Sequence, residues 1–342
     1  MARKVPTRRE LMAVLRANRL EAVDLSSKAG VARVHRLLGR AQRDLNERLR
    51  TAESLRGPGK DSFTATQLRA TLAQIRDVVG SVVRPAIRGT TLDVGKDAAE
   101  GMAEGTIDYL QMADRAFTGV ARPLGIREGA LYDRAVAGSR SSILHRLEPD
   151  PRAGPGILDR YGDAVVSRFE ESLGQRLLAQ QPWEQVRDNL IADSPFLQQA
   201  PGHWAERIVR TEVMGAAGRA SWESIRSADA DLGDMAKILC ATFDNRTGAD
   251  SYAVHGQIRR PEEAFQWWEG LYQHPPNRPN DREVVVPHRV SWPIPGELQP
   301  RSDGDVAACW AREKRKGGPP PRPKMTTIPL EKFGAPPPAK SA

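Results

Sequence analysis

Ten side chains able to do acid–base, nucleophilic or metal chemistry fall within 49 residues: Cys240, Asp244, Arg246, Thr247, Asp250, His255, His274, Asp281, Glu283 and His288. The most chemical reading of this group is a divalent cation held by Asp244, Asp250 and His255 that activates water against a phosphodiester. The spacing gives that reading little support, because zinc wants three or four ligands in tetrahedral reach and the chain has neither a paired CxxC nor an HExxH. GxSxG, GxxxxGK[ST] and GxGxxG are also absent from the sequence. The plainer reading makes Asp244 and Arg246 a turn after a strand, with the Arg246 guanidinium forking onto a carboxylate or carbonyl. On that reading His255-Gly256 is a turn of the same structural kind.

The elements that would position these residues are short. Ile238–Phe243 reads as a buried strand and Val284–Val286 as another, with turn-forming residues between them, so the last third is expected to be a compact α+β unit. Upstream the pattern is helical. From Val31 the apolar residues Val34, Leu37, Leu38, Ala41, Leu45 and Leu49 recur every three or four positions, the spacing of one helix face. Thr64 and Gln67 form a candidate capping box for a second helix running through Val82, with Pro85 and Gly89 marking its end or a kink. Further helices are expected over 107–120, 131–147 and 158–177, and Pro182-Trp183-Glu184 reads as the first turn of a shorter one. Helix dominates to about residue 228. The fold class is therefore mainly α, with a smaller α+β C-terminal domain.

The chain has 342 residues, enough for two domains. Turn-rich residues 148–156 form the best internal linker. The expected organisation is a basic helical region at 1–150, a helical lead-in plus α+β domain at 157–309, and a basic proline-rich tail at 310–342 that is extended rather than part of a core. Aromatic residues are 6% of the chain, which argues against an all-β fold. No run approaches the roughly 20 apolar residues of a membrane span, and the N-terminus is too polar for a secretory signal. Two cysteines do not make a disulfide framework, so a reducing compartment is expected.

Net charge is +8, distributed unevenly: residues 1–60 carry +9, residues 310–342 carry +6, and the middle carries −7. Arg33, Arg36, Arg40, Arg43, Arg48 and Arg50 lie off the apolar stripe of the first long helix. That face is either solvated or set against a polyanion such as DNA, contacting phosphates without reading bases.

The order of the motifs adds what their chemistry does not. Arg210-Thr211-Glu212 on a helix is followed by Ala241-Thr242-Phe243-Asp244-Asn245-Arg246-Thr247, Asp250-Ser251, His255-Gly256-Gln257 and Glu263-Ala264-Phe265, then the stretch Pro275–Glu283 and Pro287-His288-Arg289. This succession, over roughly residues 200–292, resembles the phage Mu F-like minor head protein family, also called phage head morphogenesis proteins. Many members carry a Cys-Arg-Cys-like segment where this chain has Val286-Pro287-His288-Arg289, so the resemblance carries over no cysteine-held metal.

The resemblance implies a low-copy structural protein of a tailed phage head. It would sit in the virion, inside or at the portal vertex, after assembly in the host cytoplasm, and act in head assembly, DNA packaging or DNA delivery. Its expected partners are the portal protein, other head proteins and DNA held by non-specific phosphate contacts. No catalysis, cofactor, metal, membrane or small-molecule substrate is implied. Arg210, Thr211, Glu212, Asp244, Arg246, Thr247, His255, Gly256, His288 and Arg289 would be structural or interaction residues. The alternatives read from the residues are a metal-assisted nuclease and a free, sequence-tolerant nucleic-acid-binding protein.

Overall fold

A computed structural model describes residues 22–51, 65–119, 123–152, 154–179, 181, 185–186, 188–189, 200–241, 243, 247–268, 270–275, 283–314 and 317–333. Among the described residues, the long helices ahead of the sheet are α1 Ala22–Thr51, α2 Ala65–Val78, α3 Arg84–Thr118, α4 Glu128–Leu147, α5 Ile157–Leu178 and α6 Ala200–Leu232. The last third holds strands β1 Met235–Cys240, β2 Ile258–Arg259, β3 Phe265–Trp267, β4 Gly270–Tyr272 and β5 Val284–Arg289, with helices α7 Ala249–Val254 and α8 Asp303–Arg312. The fold is mainly α with a small α+β C-terminal region, as the periodicity predicts. Thr64 and residues 182–184, on which a capping box and a short helix were expected, lie outside the described residues.

The chain packs as two compact units that interleave in sequence. One takes residues 27–94 and 143–212; the other takes 95–142 and 213–342, with 1–26. Residues 148–156, expected to be a linker between domains, lie wholly inside the first of these.

In the first unit the apolar stripe of α1 is buried at Val34, Leu38, Ala41 and Leu45. Gly30 allows a close crossing, since a Cβ there would lie 2.9 Å from Val209. Pro85 does not end its helix. The five residues Val79–Val83 form a π-helical turn between α2 and α3, closed by the Arg84 N–H donating to Val79 O. The widened turn makes room for a ring that in regular helix would collide with the carbonyl four residues back, and Pro85 enters α3 without a break. Arg84 then lies across Gly162, where a Cβ would collide with the guanidinium, and pairs with Asp159 at 2.8 Å and Asp163 at 3.1 Å.

In the second unit, buried alanines on α3, α4 and α6 (Ala99, Ala103, Ala113, Ala135, Ala216, Ala220) form the helical layer, and Ser139 Oγ donates to Ala216 O at 2.8 Å. The sheet is antiparallel in the order β2-β1-β5. Every residue of β1 is buried, with Ile238 paired to Val286 and Ala236 to His288. Pro287 is tolerated because β5 is an edge strand, where a missing N–H breaks no ladder. β3 and β4 form a separate antiparallel pair.

The expectation of a tail beyond residue 310 does not hold for 317–333. The Ile258 N–H donates to Met325 O at 2.7 Å, Thr326 bridges to Ile258, and Ile328 and Phe333 are buried. Proline-rich composition disfavours regular hydrogen bonding, but it does not prevent such a segment from covering an open sheet edge.

Candidate functional site

Three of the motif residues, Thr247, His255 and Gly256, lie near the C-terminal end of β1. After Cys240 the chain passes through Phe243 and the buried Thr247 into α7, whose first N–H, at Ala249, is taken by the distant Glu313 carboxylate at 2.9 Å. α7 ends at His255, which is fully buried. Its Nδ1 accepts from the Ala241 N–H at 3.1 Å, which leaves Nε2 as the protonated nitrogen, donating to Glu297 O at 3.0 Å. Phe243 packs edge-on against this ring at 4.6 Å, and the Arg301 guanidinium covers Phe243 at 4.1 Å.

Gly256 follows with φ +79, and a Cβ there would sit 2.5 Å from Pro300 N and 2.9 Å from Leu298 O. Both the left-handed backbone and the close approach require glycine. Gln257 then locks the crossing, its amide donating to Gln266 O at 2.9 Å and accepting from Gln266 N at 2.6 Å. Thr247 contributes its carbonyl, which accepts from Arg312 at 2.6 Å. Asp244 and Arg246, the centre of both the metal and the turn readings, lie outside the described residues, as does Asp281.

The second histidine belongs to the other end of the same strand. His288 pairs with Ala236, five residues along β1 from Ala241, a separation of about 17 Å. The two rings therefore cannot share one ion. His288 is boxed by Phe117 at 6.3 Å, Trp292 at 5.8 Å and Phe333 at 5.9 Å. One nitrogen, Nε2, bonds Trp292 O at 3.3 Å, while Nδ1 is buried without a hydrogen-bonding partner among the described residues. Burial pushes its pKa down to about 4, only partly opposed by the Trp292 carbonyl and the charge of Asp234. Arg289 next to it donates to Asp234 at 2.7 Å, tying the end of β5 to the start of β1.

Arg210, Thr211 and Glu212 lie on α6 in the first compact unit. Arg210 is exposed and bonds Glu206 at 2.8 Å. Thr211 and Glu212 are buried. Burial lifts the Glu212 carboxyl to about 7, the Arg146 guanidinium 3.2 Å away pulling it back only in part. Of the other reactive side chains, Glu283 accepts from the Tyr272 hydroxyl at 3.2 Å, and His274 lies beside Trp222 with its Nδ1 3.0 Å from Pro275 O. Cys240 and Cys309 are buried and are not bridged to each other. Among the described residues no group of three His, Cys, Asp or Glu side chains is arranged to hold a metal ion.

The arginine face of α1 divides in two. Arg33 pairs with Asp93 at 2.8 Å, and Arg48 with Asp77 at 2.6 Å and Asp44 at 3.1 Å, so both are engaged within their unit. Arg36, Arg40 and Arg43 are exposed and, with His35, border a shallow open depression along Gly39. The side chain of Arg50 lies outside the described residues. No helix among the described residues is long and apolar enough to cross a membrane.

Three features escaped the sequence reading. Lys237 on β1 is fully buried, donates to Gln273 O at 2.9 Å, lies 4.7 Å over Phe265, and has its pKa pulled down to about 7 by burial. α8 starts with a capping box, Ser302 with Asp305, which was legible as Ser-x-x-Asp ahead of Val306. The third is the contact of Trp268 and Trp310 with the proline-rich segment, which has no short-range signature. No family model matches the chain, and neither does any curated protein or solved structure.

Proposed function

We propose that the chain is a minor head protein of a tailed bacteriophage, a structural component at the portal vertex that serves head assembly, DNA packaging or DNA delivery. The observation that carries this reading is the state of His255. Both ring nitrogens are spent on backbone groups, Ala241 N–H and Glu297 O, inside a fully buried crossing sealed by Gly256. A motif used up in this way specifies a fold; a nuclease would need the same imidazole to reach a metal or a water. The portal protein and other head proteins are the proposed partners, with DNA contacted through phosphates.

The test is sedimentation of DNA-filled particles from the source, washed in high salt. Retention of the chain at a few to some tens of copies per particle is the expected result. A chain that stays soluble while the major capsid protein pellets overturns the proposal.

The reading as a free nucleic-acid-binding protein is favoured by Arg36, Arg40 and Arg43, which make no ion pair among the described residues. Replacing all three with Ala is expected to lower the salt slope of duplex DNA affinity by about 2 to 3. An unchanged slope removes this face from DNA contact, and particle association decides between the two readings.

A further inference from the structure

We propose that Lys237 and Gln273 join in an isopeptide bond, the lysine amine displacing ammonia from the glutamine carboxamide and tying β1 to the residue that follows β4. The inference is independent of the head-protein reading.

A buried lysine that serves only to hold a fold is ordinarily charged and paired with a carboxylate. Lys237 is fully buried in the middle of β1, in register with Arg259 on β2 and Pro287 on β5, and no carboxylate pairs with it among the described residues. Its hydrogen bonds go to Gln273 instead, to the backbone O at 2.9 Å and to the side-chain Oε1 at 3.1 Å. The rings of Phe265 at 4.7 Å and Trp222 at 5.9 Å close over the amine. Burial holds its pKa down to about 7; the charges of Arg259 and Arg226 add to this, and those of Glu262 and Glu263 oppose it. About half of these amines are therefore uncharged at neutral pH, the state in which a desolvated lysine is a nucleophile.

The carboxamide faces the amine with its oxygen. Nε2 of Gln273 donates to Glu262 O at 3.2 Å, which fixes Oε1 toward the lysine and keeps the nitrogen on the open side of a half-exposed residue. With Oε1 at 3.1 Å from Nζ and a C=O bond of about 1.2 Å beyond it, the carbonyl carbon lies within about 4.3 Å of the amine. Rotation of the amine about its last bond aims the lone pair at that carbon. The Nζ–Cδ bond forms as the carbonyl π pair moves onto Oε1; the carbonyl then re-forms as the Cδ–Nε2 bond breaks, and a proton from Nζ passes through water to the departing nitrogen. One amide replaces another and one ammonia leaves to solvent, so no oxidant, reductant or co-reactant is needed. The bond closes a loop across a sequence separation of 36 residues that holds α7, His255, Gly256 and strands β2 to β4, so the buried crossing is clasped covalently at its base.

Intact mass and peptide mapping of the full-length chain test this. After a day at pH 8, where the amine is uncharged, the natural chain is expected to weigh one ammonia less than its sequence requires. Digestion is expected to release a branched peptide joining residues 237 and 273. Lys237→Met and Gln273→Ala are each expected to keep the full mass. A natural chain that is folded by circular dichroism and still has its full mass overturns the proposal. So does a lost ammonia that maps to other residues, or one that is lost equally from Lys237→Met. Should Lys237→Met fail to fold, Gln273→Ala alters only a half-exposed side chain and decides the same comparison: full mass supports the bond, and the same loss as in the natural chain overturns it.

Discussion

The two ends of β1 use the same side chain in opposite ways. At the C-terminal end His255 is a bridge, with each ring nitrogen bonded to a backbone group of a different segment. At the N-terminal end His288 is a filler, surrounded by three aromatic rings and making one long bond. Both are fully buried, so burial does not separate them. What separates them is how many groups are left unsatisfied when the ring is removed, and that number decides the cost of a substitution.

The largest expected effect is therefore His255→Ala. It orphans the Ala241 N–H and the Glu297 carbonyl and opens a ring-sized void against Phe243, for a loss of about 5 kcal/mol in chemical denaturation. A loss under about 1 kcal/mol would mean that the bridge contributes nothing and would break the comparison. Next is Gly256→Ala, expected to cost about 4 kcal/mol, because positive φ strains alanine and the new methyl enters the space of Pro300 N. Its check is the denaturation midpoint at unchanged slope.

Much of the helical part was legible and much of this site was not. The α1 stripe from Val34 to Leu45 and the strand containing Ile238 follow from local periodicity, which records burial directly. The strand ended earlier than expected, at Cys240, because Ala241 turns its N–H to His255. Nothing local marks Pro85 as tolerable; the π turn that admits it is a property of five residues acting together. The His-Gly dipeptide was read as a turn without its reason, since the crowding of Gly256 comes from Leu298–Pro300, more than forty residues on. His288 drew attention as a reactive side chain, but its box is assembled from Phe117 and Phe333, which no spacing argument connects. The proline-rich end misled because its composition speaks for its own backbone and says nothing of the indoles and sheet edge that receive it.

The third effect is a pH dependence belonging to the His288 end. In the unfolded chain a histidine takes up its proton near pH 6.5, but the folded site resists it down to about 4. Between those values the unfolded state binds more protons, so stability is complete above pH 6.5 and falls as pH drops toward 4, by about 3 kcal/mol in all. Denaturation midpoints across pH 7 to 4 read this loss, and carboxylates titrating at the acid end are subtracted by repeating the series in a His288 variant.

His288→Phe supplies that variant and is also the smallest expected effect. The box already presents three aromatic faces, and Nδ1 has no hydrogen bond among the described residues to lose. The only bond forfeited is the 3.3 Å contact with Trp292 O, while a ring that never charges removes the proton-linked loss. At pH 7 the change is expected to lie within about 1 kcal/mol of the natural chain. At pH 4 to 5 the substituted chain should be the more stable of the two, so the curves cross. Curves that stay parallel would place the acid loss elsewhere, while a cost at pH 7 near that of His255→Ala would make His288 a bridge as well.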